Sequence, residues 1–200
     1  FRQDSNFSYF FGLDHPDLAG LIDLDEGKDL IFGNDADIDD IIWMGKQPTI
    51  NEQAVKVGVT HTAPLKDFNE LVKHALSQGR KIHFAPPYRG ETILWLSDLL
   101  GIPHLMLRKS ASEPLIRAIV NLRMKKDALE VAEIEKMVDV AFLMHTTGMK
   151  MAKPGVIERE IAGLIEGIAL SHCGPVSFPV ILSINGQTLH NHYHGNTLTE

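Results

Sequence analysis

Apolar residues recur along this chain with two different periods, and the change divides it into two halves with different grammar. In the first half, strand-like and helix-like stretches alternate. Ser5 to Phe11 is aromatic and short. Leu18 to Leu24 and Asp29 to Phe32 flank Asp25-Glu26-Gly27, and an acidic glycine turn between apolar runs predicts a hairpin. From Lys66 to Leu76, Phe68, Leu71, Val72 and Ala75 fall at helical spacing, with Gly79 as the stop. Lys81-Ile82-His83-Phe84 predicts a short strand, and Thr92 to Leu100 a second amphipathic helix closed by Gly101. Strands alternating with helices predict a sheet covered by helices.

The second half opens with a long, charged helical run. Asp127 followed by Glu130 predicts a capping box with Asp as the cap. Ile134, Met137, Ala141, Met144, Gly148 and Met151 then recur three or four residues apart, the pattern of one continuous buried stripe. Pro154-Gly155 breaks it. Ile157, Ile161, Leu164, Ile165 and Ile168 mark a second helix ending near Cys173-Gly174-Pro175, and Phe178 to Ile184 predicts a strand. Gly186 opens a turn into Thr188 to Asn196. No internal repeat or low-complexity tract interrupts the pattern. A boundary is expected in Ser112 to Lys126, giving one domain over 1–118, a helical linker over 119–126 and a second domain over 127–200.

Composition narrows the function classes. Of 200 residues, 44% are apolar and 22% charged, an ordinary globular balance. With 26 acidic against 19 basic residues the formal charge is −7, and the acids are dispersed, as at Asp35, Asp37, Asp39 and Asp40, so nucleic acid is not an expected partner. No apolar run reaches the roughly 18 residues of a membrane span, so no membrane is expected either. The single cysteine, Cys173, excludes an internal disulfide framework and is compatible with a reducing, cytoplasmic compartment. Cys173 reads as a small apolar residue near a helix end rather than a nucleophile, despite Ser171 and His172 beside it. Phe1 begins no signal peptide, and the natural N-terminus is expected to lie upstream.

The candidate chemistry lies in Thr188-Leu189-His190-Asn191-His192-Tyr193-His194-Gly195-Asn196. Three histidines at alternate positions of an extended strand share one face, where neutral imidazoles can donate to a substrate, shuttle protons or hold a metal. No carboxylate cluster stands nearby in sequence, so no metal ligand is assigned among His190, His192 and His194, and a metal stripe of their own is the weakest of these roles. The plain alternative is that His192 and His194 only bond backbone groups. His15, His61, His74, His83, His104, His145 and His172 are scattered singly and read as structural. Trp43 and Trp95 read as core or interface anchors, and the methionines at 137, 144, 149 and 151 as helix packing. Arg2 and Asp4 are open between a buried pair and a substrate contact.

Taken in order, several of these segments resemble one family. Arg2 to Gly12 resembles the opening strand of the N-terminal domain in the creatinase, prolidase and aminopeptidase P group. Asp35 to Gly45, with Ile42-Trp43-Met44-Gly45, is similar to a later piece of that domain. Lys125 to Glu160, ending Ala152-Lys153-Pro154-Gly155-Val156-Ile157-Glu158-Arg159-Glu160, looks like the first helices of the pita-bread catalytic domain. Phe178-Pro179-Val180-Ile181-Leu182-Ser183 and Leu189-His190 look like the strand and histidine ahead of its first metal ligand. The resemblance covers essentially the whole chain.

That resemblance implies an α/β N-terminal domain, a mixed sheet with flanking helices, followed by the start of an α+β pita-bread domain. It implies the N-terminal part of a metal-dependent aminopeptidase that releases the first residue from peptides with proline second. Two divalent ions, of the manganese kind, would be held by two Asp, one His and two Glu, all after the histidine segment, so the 200 residues alone are expected to be inactive. The family's Leu-His step points to His190 as the catalytic donor, with His192 second. A homodimer through the N-terminal domain is the expected assembly. The alternatives are a prolidase acting on Xaa-Pro dipeptides and an inactive homologue serving as a binding module.

Overall fold

The computed structural model describes residues 2–188 and 190–199. Their elements run α1 (Ser5–Phe11), β1 (Ala19–Asp23), β2 (Lys28–Phe32), α2 (Ile38–Met44), α3 (Ile50–Lys56), β3 (His61–Ala63), α4 (Leu65–Ser77), α5 (Gly90–Leu100), α6 (His104–Leu107), α7 (Glu113–Met124), α8 (Ala128–Met151) and α9 (Glu158–His172). The chain divides into two units, residues 1–123 and 124–200.

The predicted hairpin forms the heart of the first unit. β1 pairs antiparallel with β2, Ala19 opposite Phe32 and Asp23 opposite Lys28. β3 then joins the other side of β2 in parallel, giving a mixed three-stranded sheet in the order β1-β2-β3. Ile31 is fully buried and Phe32 nearly so, each worth roughly 2–3 kcal/mol relative to exposure. Phe7, Phe11, Ile50, Ala54 and Val59 close around Ile31. Phe32 meets Phe68 of α4 edge to face, with ring centroids 5.1 Å apart. Helices α4 and α5 form where their spacing predicts, and α5 ends at Gly101 in the left-handed region, φ 65°.

Three segments of the first unit depart from their sequence expectation. The opening segment is a helix, α1, and not a strand: Asp4 Oδ1 accepts from the N–H groups of Asn6 and Phe7, and Phe7 and Phe11, one turn apart, stack at 5.0 Å. Residues 81–84 form no strand. A strand exists only with a ladder partner, and here the carbonyl of Phe84 takes the N–H of Ser112 at 3.1 Å instead. Trp43 is no core anchor, being 87% exposed at the end of α2, whereas Trp95 is half-buried against Phe68 and donates to Asn69 Oδ1 at 2.8 Å.

In the second unit α8 begins at the predicted capping box, Asp127 and Glu130 each accepting the other's backbone N–H. Its stripe is not continuously buried. Ile134 and Met137 are exposed, and the stripe is covered only toward its end, where Gly148 lets α9 approach and a Cβ there would stand 3.1 Å from Ile165 Cδ1. A regular apolar period states which face can be covered, and coverage needs a second surface at that height. Residues 178–184 and the described part of 188–196 are not strands either; an isolated antiparallel bridge joins Ile157 to Thr197. No helix among the described residues is long and apolar enough to cross a membrane.

Candidate functional site

The first turn of α9 organises the histidine segment. Glu158 lies on the same helical face as Ile161, Ala162 and Ala169, all buried, and is itself completely inaccessible. A carboxylate in that position must find donors. Ile184 N–H reaches its Oε1 at 2.8 Å, Asn196 N–H its Oε2 at 3.1 Å, and Asn196 Nδ2 stands 3.2 Å and 3.1 Å from the two oxygens. Burial pushes this carboxyl up. The N–H of Ile184, then the N–H and side chain of Asn196, then the nearby charge of His194 outweigh it, and the net shift is downward from the ordinary Glu value. The site at a helix N-terminus favours the anion further.

Backbone bonds continue the attachment. Glu158 N–H donates to Asn196 O at 3.0 Å, Arg159 N–H to His194 O at 3.0 Å, Gly155 N–H to Leu198 O at 2.9 Å, and Leu198 N–H to Val156 O at 2.8 Å. A cleft of about 280 Å³ opens beside this junction, lined by Lys153, Glu158, Ile161, Leu182, Ile184 and Leu198 among others.

The three histidines occupy different settings. His190 sits exposed in a turn, and Leu189 before it lies outside the described residues. His192 is exposed, with Nδ1 3.4 Å from Val180 O; a proton on Nδ1 suits that carbonyl and leaves Nε2 as the acceptor. His194 is half-buried, and its Nε2 is a buried atom with no hydrogen-bond partner. Among the described residues no group of three or more His, Cys, Asp or Glu side chains is arranged to hold a metal ion.

The remaining candidates have structural settings. Asp4 caps α1, and the carbonyl of Arg2 accepts from Arg89. Cys173 is exposed at the end of α9, its thiol 3.5 Å from Ala169 O. Sequence reasoning missed Glu158 and Asn196. A charged residue at the head of the apolar face Ile161, Ala162, Ile165 and Ala169 was the available signal, since a lone acid on a buried face demands partners.

Comparison with known proteins converges on one group. The model of the aminopeptidase P N-terminal domain matches residues 1–83. A protein of Ajellomyces dermatitidis named "Probable Xaa-Pro aminopeptidase" is 26% identical over 196 residues, 95% of this chain and 40% of its own length. One of the same description from Fusarium vanettenii is 30% identical over 160 residues, 80% of this chain and 33% of its own. Among solved structures, Escherichia coli aminopeptidase P has a TM-score of 0.78 at 21% identity, covering 100% of this chain and 48% of that one. Aminopeptidase PepP of Pseudomonas aeruginosa gives 0.76 at 20%, covering 100% and 47%. At such identities these structures establish the fold: the sheet and helices described here are those of the front part of aminopeptidase P. The chain spans about two fifths of the length of the relatives it matches.

Proposed function

We propose, from the match of residues 1–83 to the aminopeptidase P N-terminal domain and the alignment of nearly the whole chain with a relative of that kind, that this chain is of the aminopeptidase P family and forms the N-terminal part of a metallopeptidase that releases the first residue from peptides with proline second. The observation that carries this is the alignment of 95% of the chain with a relative of that name. Proline makes the scissile bond a tertiary amide without an N–H, so recognition depends on a preformed pocket around the ring and on donors aimed at the reacting atoms.

Within this reading His190 is the donor to the developing oxyanion or to the leaving imino nitrogen, and His192 and His194 are further substrate contacts on the same segment. Its exposure and its place in a turn support His190 in reaching a peptide. The finer parts of the proposal are two divalent ions, manganese, with ligands supplied outside these 200 residues; proline-containing peptides as substrates; a homodimer; and a cytoplasmic location. The dispersed acidic charge supports peptides rather than nucleic acid as partners.

The test is hydrolysis of Ala-Pro-Ala by the full-length protein supplied with manganese, followed by mass spectrometry. Release of alanine with Pro-Ala left over is expected. Cleavage of Ala-Pro alone would turn the reading to a prolidase, and no cleavage of either would turn it to a binding module. A polypeptide of residues 1–200 alone should leave Ala-Pro-Ala intact.

A further inference from the structure

Glu158 holds both ends of the histidine segment at once. Its Oε1 takes the N–H of Ile184, before the segment, and its Oε2 takes the N–H of Asn196, after it. The Asn196 side chain bridges the two oxygens, and the N–H groups of Glu158 and Arg159 return bonds to the carbonyls of Asn196 and His194. Everything aimed at this carboxylate is a donor, and the group is wholly buried. Only an ionised carboxylate offers two acceptor oxygens in that geometry; a glutamine of the same shape would turn an NH2 group toward one of the backbone N–H groups.

Between these ends, residues 185–195 carry all three histidines, and neither His190 nor His192 lies in a strand that would orient it through a ladder. The fastening at 184 and 196 restrains both ends of the backbone that carries their imidazoles, beside the contact of His192 with Val180 O. We propose that Glu158 is a positioning residue, whose buried carboxylate, with Asn196, clamps the histidine segment to the first turn of α9 and so places His190 toward the substrate. This rests on the role given to His190 above.

The experiment uses the full-length protein with manganese, Ala-Pro-Ala as substrate, and the variants E158Q, N196A, H190A and E158Q/H190A. Hydrogen exchange reads the clamp directly: E158Q should accelerate exchange of the amides of residues 184–196, with α8 and most of α9 keeping their protection. In kinetics, E158Q should lower kcat roughly 100-fold, the scale of an ångström-level misplacement, with KM changed severalfold at most. The double variant should be no slower than H190A alone, because a lost position costs nothing once the positioned group is gone. N196A, which keeps the backbone donors, should show the same pattern weakly and serves as the measurement if E158Q does not fold. Unchanged exchange in 184–196 would overturn the clamp, and losses that multiply in the double variant would overturn positioning through His190. A parent protein that cleaves no proline bond would sink the functional reading and the catalytic half of this proposal, while exchange would still decide the clamp.

Discussion

Arg80, three residues beyond α4, grips Asp23, at the end of β1, with both terminal nitrogens: Nη1 stands 3.0 Å from Oδ2, and Nη2 meets Oδ1. Its Nε turns to Asp25 at 2.8 Å. The arginine thus ties the hairpin turn to the helix that covers the sheet, in the fork geometry that planar guanidinium and carboxylate share.

That pairing carries a pH dependence. The Arg80 guanidinium, helped by the N–H of Glu26, lowers the Asp23 carboxyl to about 2 from its ordinary 3.8, and the guanidinium is correspondingly raised. A depressed folded value contributes stability that is fully present above the unfolded value, and it is lost as pH falls through the folded one. D23N should therefore lower the melting temperature at pH 7 by about 5 °C. The gap between parent and variant should close between pH 4 and pH 2 in a calorimetric series, and a gap constant across that range would contradict the pairing.

Gly20 faces Phe11 across the junction of β1 and α1. A Cβ built there would lie 2.1 Å from Phe11 Cε2, too close for the ring to remain stacked on Phe7. G20A should destabilise the first unit by about 1–3 kcal/mol through overpacking. Urea unfolding followed by fluorescence measures it, and a neutral result would mean that the ring has free space to move into.

The end of α7 belongs with the first unit. Arg123 donates through Nη1 to Asn6 Oδ1 and lies over the Tyr9 ring, 5.2 Å from its centroid, while Tyr9 O–H donates to Leu122 O at 3.3 Å. A fragment of residues 1–123 is expected to unfold cooperatively by itself. A fragment ending at Ala118 lacks these contacts and should be weaker by about 1–2 kcal/mol. Thermal melts of the two compare them, and equal midpoints would show that the clasp adds nothing.

If His190 serves the substrate, H190A in the full-length protein should lower turnover roughly 100-fold while bound manganese stays at the parental level. Metal analysis alongside the rate decides between the two roles. Loss of manganese in proportion to activity would make His190 a ligand, and an unchanged rate would pass the role to His192.

Local signals in the sequence determined what local physics controls. Asp25-Glu26-Gly27 specified the hairpin, Asp127 with Glu130 specified the start of α8, and Gly79 and Gly101 specified where α4 and α5 stop, because turn and cap preferences act within a few residues. Family likeness was legible too, through the order of weak motifs from Arg2 to His190. Tertiary structure decided what depends on partners far along the chain. Lys81 to Phe84 has strand composition but finds no ladder, and the stripe from Ile134 to Met151 has helical period but is covered only where Gly148 meets α9. Glu158 reads in sequence as an ordinary acid in a first helical turn. Its role as the acceptor for Ile184 and Asn196, 26 and 38 residues away, exists only once the chain has folded back, because a buried carboxylate is defined by the donors brought to it.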